Sequence, residues 1–215
     1  MRPLIVTGTD TNIGKSVVAA MLTLCLDAIY WKPIQAGNEG GTDAERVAEM
    51  TELKADRFRL ERYVLKNPLS PHFAAALDGI TIDEENLQLP GDIAADQTLI
   101  IEGAGGVLVP ITTDLLQAEL FARWDAPAIL CAQTELGTIN HSLLSIEALR
   151  KRSIDILGII FIGNEMENSE NTIVKMGGVR HLGRLPILEE CNPKTLRAAF
   201  SMSFRRQDFE SSHGG

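Results

Sequence analysis

The stretch that most constrains what this chain can fold into is Gly8-Thr9-Asp10-Thr11-Asn12-Ile13-Gly14-Lys15-Ser16. An apolar run, Leu4-Ile5-Val6, precedes it, and an apolar-rich segment from Val17 to Leu26 follows. Strand, glycine-bounded loop and helix in that order turn a row of backbone N–H groups toward an anion at the positive end of the helix dipole. In such a loop Lys15 reaches the terminal phosphates of a nucleotide, and the Ser16 hydroxyl sits on Mg2+. Five residues, not four, separate Gly8 from Gly14, so the stretch is a lengthened relative of the ordinary phosphate-binding loop. A glycine turn carrying a surface lysine is the plainer alternative. The placement of Gly-Lys-Ser between strand and helix weighs against it.

At 215 residues the chain suits one large α/β domain more readily than two. The expected division is a single domain over residues 1–200 and a C-terminal tail, partly disordered, over 201–215. Hydrophobic residues make up 45% of the chain and mean hydropathy is +0.03, enough for a sizeable core. A net charge of −9 and a pI near 5.0 argue against nucleic acid as a partner, since phosphate backbones select basic faces. Cys25, Cys131 and Cys191 are odd in number and widely spaced, and the first two sit in apolar runs. They read as free thiols of a reducing cytoplasm. No signal peptide precedes Pro3 and no apolar stretch approaches a membrane span, so a cytoplasmic protein with no membrane partner is expected.

Further along, Ala28 to Trp31 reads as a short strand that leaves the sheet at Lys32-Pro33, because proline cannot continue a central ladder. In an open α/β sheet the ligand crevice lies beyond the C-terminal strand ends, where Lys32 would face the phosphate loop. A glycine-rich loop, Gly37 to Thr42, leads to a helix capped by Thr42 or Asp43; Asp43 can instead ligate Mg2+. Residues 51–97 carry few signals beyond a helix start at Ser70-Pro71 and a short helix over Asp83 to Gln88. Thr98 to Ile101 then forms an apolar strand ending in Glu102-Gly103-Ala104-Gly105-Gly106, an acid opposite the phosphate loop followed by backbone open to a substrate. Strands over Ala128 to Ala132 and Ile156 to Ile162, a helix from Gly137 to about Arg150, and a last strand ending near Leu185 complete the alternation. The expected fold is α/β, a three-layer, mainly parallel sheet with helices on both faces, like that of P-loop nucleotidases.

Five motifs occur in order: Gly-Thr-Asp-Thr-x-x-Gly-Lys-Ser (8–16), Lys-Pro-Ile-Gln-Ala-Gly (32–37), Ser-Pro-His (70–72), Glu-Gly-Ala-Gly-Gly (102–106) and Gly-Thr-Ile-Asn-His (137–141). With Asn164 and Gly-x-Leu-Pro (183–186), this set resembles the dethiobiotin synthetase family from about Val6 to Leu188. The resemblance implies an ATP- and Mg2+-dependent ligase of biotin biosynthesis that closes a cyclic urea on 7,8-diaminononanoate with CO2. It also implies a homodimer whose substrate sites lie at the subunit interface. Carried over residue by residue, Lys15, Lys32 and Thr11 are the catalytic set, and Ser16, Asp43 and Glu102 hold Mg2+. Asn12, Ile13, Gly14, Lys15, Ser16 and Val17 hold the phosphates. Gly103, Ala104 and Gly105 continue that site, and Asn164, Glu165, Pro186, Ile187 and Leu188 take the base. Gly105, Ala36 and, from the other subunit, Gly137, Thr138, Ile139 and Asn140 bind the diamine substrate. Asn12 stands where the family often has an acid, and Ala36 where some members have a hydroxyl.

A dimerising regulatory ATPase of the partitioning type is the main alternative. Those proteins carry a second lysine at the start of the phosphate loop, where this chain has Asp10. An amidotransferase of the cobyrinate kind would need a glutaminase domain for which the chain is too short.

Overall fold

Leu4, Ile5 and Val6 are all buried, although successive strand residues point to opposite faces. The strand they form, β1 (Arg2–Gly8), must therefore be covered on both sides. A computed structural model, which describes residues 1–210, shows how. β1 pairs in parallel with β6 (Thr98–Gly106) on one edge and with β7 (Ala128–Gln133) on the other. Beyond β6 lie β2 (Ile29–Trp31) and β4 (Phe58–Arg59), and beyond β7 lie β8 (Ile156–Ile162) and β9 (His181–Leu185). The order β4-β2-β6-β1-β7-β8-β9 is parallel throughout. A second, two-stranded parallel sheet joins β3 (Ile34–Ala36) to β5 (Tyr63–Leu65).

Two cores lie on the two faces. Leu4, Val6, Ile100, Ile129 and Ile160 pack with residues of α1 (Lys15–Cys25), α2 (Asp43–Thr51) and α7 (Pro193–Ser203). Ile5, Leu99, Ile101, Leu130 and Phe161 pack with residues of α3 (Pro71–Asp78), α4 (Gln117–Trp124), α5 (Thr138–Arg150) and α6 (Glu167–Gly177). The expected three layers are present. Cys131 is fully buried, and burial pushes its thiol up to about 12, while Cys25 and Cys191 are half-buried.

The expected tail looks different at its start. α7 runs through Ser203, and a short α8 (Gln207–Glu210) follows. Phe204 and Phe209 are buried, and Phe200 stacks on Phe204 with ring centroids 5.8 Å apart. Aromatic burial on the α1 face thus extends the packed chain past residue 200; residues 211–215 lie outside those described.

Two further differences bear on the site. β6 does not stop at Ile101 but continues through its glycines to Gly106. That extension is braced by Gln117 at the start of α4, which accepts the Ala104 N–H at 2.6 Å and donates to the Gly106 carbonyl at 3.0 Å. A Cβ on Gly103 would stand 2.8 Å from Phe121 Cζ and 3.0 Å from Gln117 Nε2. Phe121 in turn packs on Trp124, and Trp124 on Trp31. Gly103→Ala should therefore destabilise the fold by about 1–3 kcal/mol through overpacking. A urea midpoint equal to that of the wild type would show that the aromatic cluster yields freely.

Candidate active site

Strand register brings the site together. Trp31 of β2 lies opposite Ile101 of β6, and Val6 of β1 lies opposite Glu102. The residue after Trp31 and the loop after β1 therefore flank Glu102 from either side. Glu102 is 1% exposed. Its Oε1 accepts the Ser16 hydroxyl at 2.8 Å and Lys32 Nζ at 3.0 Å; its Oε2 accepts the Tyr30 hydroxyl at 2.8 Å. Lys32 Nζ also pairs with Asp43 Oδ2, so one ammonium bridges two carboxylates. The pairing agrees with the electrostatics. Burial alone would depress the Lys32 ammonium, but Glu102 and Asp43 reverse the sign and hold its pKa above the ordinary value. Burial would raise the Asp43 carboxyl, and Lys32 with Arg46 instead holds it below the usual carboxylate range.

Lys15 sits differently. It is 6% exposed, and its Nζ donates to the Asp10 carbonyl at 2.6 Å across its own loop. Burial lowers its pKa, with Glu102 opposing. The loop folds over it because Gly8 has no side chain: a Cβ there would stand 2.4 Å from Ile13 Cδ1 and 3.0 Å from Lys15 Cδ. Asn12 adopts φ 55°, a left-handed conformation that Asn tolerates better than most residues, which gives a backbone reason for an amide at that position. Gly14 caps α1 at φ 96°.

α2 delivers Asp43. Thr42 is its N-cap, forming a capping box with Glu45, so of the two capping candidates Thr42 caps and Asp43 is free to face the cleft. Gln35 fixes the approach. Buried at 4% exposure, it accepts the Asp43 N–H at 3.1 Å and donates to the Gly37 carbonyl at 2.7 Å.

A cleft of about 770 Å3 opens over these groups, lined by Thr11, Asn12, Gly14 to Val17, Lys32, Ala36, Asp43, Glu102, Ala104 and Gly105, with Pro68 to Pro71 on its rim. The structure thus gathers most of the expected catalytic, phosphate and metal residues. Ile13 is buried beneath the loop and does not line the cleft. Asn164 and Glu165 follow β8, and Pro186, Ile187 and Leu188 follow β9; none of them lines the cleft. They lie at the same end of the sheet, where Ile162 packs within 3.2 Å of a Cβ position on Gly14. Gly137, Thr138, Ile139 and Asn140 open α5 and are also outside the cleft. Along α5, His141, Leu144 and Ser145 line an adjoining groove, which shares Thr11 and Val109 with the cleft.

Tyr30, Gln35, Arg46 and Gln117 were not singled out in the sequence. For Tyr30 a signal existed, since a tyrosine in a buried strand needs a partner for its hydroxyl. Gln35 alternates with apolar neighbours inside a quoted motif, and nothing in the sequence marks Gln117.

Known proteins resemble this chain in sequence and in fold. An AAA domain family model matches residues 2–195. An ATP-dependent dethiobiotin synthetase of Afipia carboxidovorans is 56% identical over 206 residues, covering 96% of this chain and 97% of that protein. One from Rhodopseudomonas palustris is 54% identical over 97% of this chain and 96% of its own. Among solved structures, the MinC:MinD cell division complex of Aquifex aeolicus aligns with a TM-score of 0.55 at 11% identity, covering 97% of this chain and 93% of that one. A ParA family ATPase of Chlorobium tepidum aligns with a TM-score of 0.52 at 13% identity, covering 94% and 92%. Those two likenesses show the fold alone, and the partitioning-type alternative gains nothing further from them.

The ion pair predicts an acid response. Against the opposing effect of burial, Lys32 and Arg46 hold the Asp43 carboxyl below its ordinary value, so its paired form contributes stability above the unfolded pKa and loses it as pH falls through the folded one. The unfolding free-energy difference between wild type and Asp43→Asn should hold steady above about pH 5 and shrink below it. A difference independent of pH would mean that Asp43 is unpaired.

Proposed function

The chain belongs to the ATP-dependent dethiobiotin synthetase family, and on that premise we propose how its residues divide the work of the reaction. The enzyme is an ATP-dependent cyclo-ligase. One amine of 7,8-diaminononanoate captures CO2 as a carbamate, whose oxygen takes the γ-phosphoryl group of ATP. The second amine then attacks the resulting mixed anhydride, expels phosphate and closes the ring.

The observation that carries the assignment is the convergence of two buried lysines and two carboxylates on one cleft beside a helix N-terminus. Phosphoryl transfer asks the protein chiefly for position and for positive charge. Lys15, held against Asp10 and short of counter-charge, is suited to gain a phosphate partner. Lys32, at the end of β2, is suited to carry the carbamate and the γ-phosphate together. Thr11, Gly105 and Ala36 line the cleft, where Thr11 and the Gly105 backbone would face the diamine and Ala36 offers no hydroxyl. The N–H groups from Gly14 to Val17 would hold the phosphates. Ala104 lines the cleft beside Gly105, whereas Gly103 is buried against Phe121 and Gln117 and does not line it. Gly103, Asn164, Glu165 and Pro186 to Leu188 are proposed to complete the nucleotide site, all but Gly103 around the base.

Mg2+ is proposed to bind Ser16, Asp43 and Glu102, where it would neutralise charge on the transferring phosphates. The donor set fits. It is all oxygen, with two carboxylates, and Mg2+ asks for one or two carboxylates with waters and phosphates completing its shell. Among the described residues no group of three His, Cys, Asp or Glu side chains gathers as for another metal.

A homodimer is proposed from the α5 end of the molecule. Leu136 and Leu144 are exposed there, as is Leu108 on the facing loop. Gly137, Thr138, Ile139 and Asn140 would offer a helix N-terminus to the substrate carboxylate bound to the other chain. No described helix is long and apolar enough to cross a membrane, and a cytoplasmic location is proposed.

The direct test is phosphate release from ATP with diaminononanoate and bicarbonate, each omitted in turn. Either omission should stop release, and Lys15→Ala or Lys32→Ala should lower kcat at least about 100-fold. Variants that keep more than about a tenth of the wild-type rate, ~1.4 kcal/mol of barrier, would sink the assignment of that lysine. For the shared site, Lys15→Ala is mixed with Thr138→Trp. Mixed dimers carry one site with both lesions and one with neither, so activity should partly return. Mixed dimers that form and stay inactive would remove α5 from the partner's site.

A further inference from the structure

Among the described residues, three cations line the cleft: Lys15, Lys32 and Arg46. Both lysines are buried and held by the contacts already given. Arg46, on α2, is half exposed, and its Nη1 stands 3.4 Å from Asp43 Oδ1. Asp43, Arg46 and Met50 recur at three- and four-residue spacing, so one face of α2 supplies this wall. The Asp43 carboxylate is shared: Oδ2 serves Lys32 and Oδ1 serves Arg46.

We propose that Arg46 is a further ligand of the nucleotide's phosphates, one that Asp43 Oδ1 releases to them when a polyphosphate binds. The proposal rests on the reading of the cleft as a nucleotide site. The two contacts of Asp43 are unequal. The Lys32 pair is buried, whereas the Arg46 pair is long, half exposed and joins neighbours on one helix turn, a kind that contributes little to stability. Arg46 also stands near the start of α2, the positive end of the helix dipole, where a cation gains nothing from the helix. A long side chain held this weakly changes partners at small cost. Phosphate is a partner its fork matches, because paired guanidinium N–H groups bind two phosphate oxygens at once. Transfer of Arg46 to phosphate also leaves Asp43 its pairing with Lys32, so the buried charges stay compensated.

The test measures ADP binding to the full-length protein by isothermal titration calorimetry, with EDTA present so that no metal takes part. Arg46→Gln should weaken ADP about three- to tenfold, and Arg46→Lys, which keeps the charge without the fork, should fall between. The deciding comparison is made in Asp43→Asn, or in Asp43→Ser if the Asn variant does not fold. There Arg46 has no carboxylate to leave, so Arg46→Gln should weaken ADP at least as much as it does in the wild type. A residue acting only through Asp43 would lose its effect in that background. A change there of less than about twofold overturns the proposal. Lys15→Ala separates the two readings. If it leaves ADP binding unaltered, the cleft is not the phosphate site and both fall. If it weakens ADP while Arg46→Gln does not, only the inference falls.

Discussion

Glu102 places a carboxylate, 1% exposed, in the interior of a parallel sheet, and most of the site follows from the need to keep it there. An ionised carboxylate taken from water without partners is among the costliest things a fold can contain. Here three donors from two elements answer it: Ser16 from α1, and Tyr30 and Lys32 from β2 and its end. Satisfying the acid sets α1 and β2 against β6. The same compensation carries the functional geometry, because two of those donors, Ser16 and Lys32, also line the cleft. Removing either partner would leave an uncompensated buried charge, so the network is held at both ends.

The two lysines differ in kind. Lys32 has its counter-charges in the protein and is held charged by them. Lys15 has a backbone carbonyl for its nearest partner, and burial lowers its pKa. A polyphosphate entering the cleft would supply Lys15 with the charge it lacks. On the proposed reading, phosphates and a carbamate at Lys32 would compete with Asp43 and Glu102. One lysine is thus poised to gain a partner and the other to exchange partners, a division that suits binding in the first case and turnover in the second.

Much of the fold was legible because its strands are long enough to show a pattern. Ile156 to Ile162 and the helix ending at Arg150 appear as expected, since continuous apolar runs and 3.6-residue periods need several residues to register. β3 and β5 have three residues each and show no period, so the small sheet they form after Lys32-Pro33 was invisible, as was the two-residue edge strand β4. The site was legible where chemistry is concentrated in a motif, as at Gly14-Lys15-Ser16, Lys32 and Glu102. It was not legible where the work is done by position. Gln117 lies 13 residues from the amide it holds, and Gln35 reaches eight residues on to Asp43. Nothing in either local sequence points to its distant partner.

The likeness to ParA and MinD proteins sharpens what the fold leaves undecided. A parallel sheet with a phosphate loop after its first strand positions a nucleotide; it does not say what receives the phosphoryl group. The partitioning-type alternative calls for a second lysine at the start of the loop. Here that position is Asp10, whose Oδ1 accepts the Thr11 N–H at 2.7 Å and whose carbonyl takes Lys15. Both contacts lie within its own loop. What this chain has in exchange is Lys32 at the end of β2 and a run of glycines ending β6, on the cleft proposed to hold the γ-phosphate. Charge is placed there without bulk. That is the arrangement a small acceptor requires, and it is what turns a nucleotide-binding sheet toward synthesis.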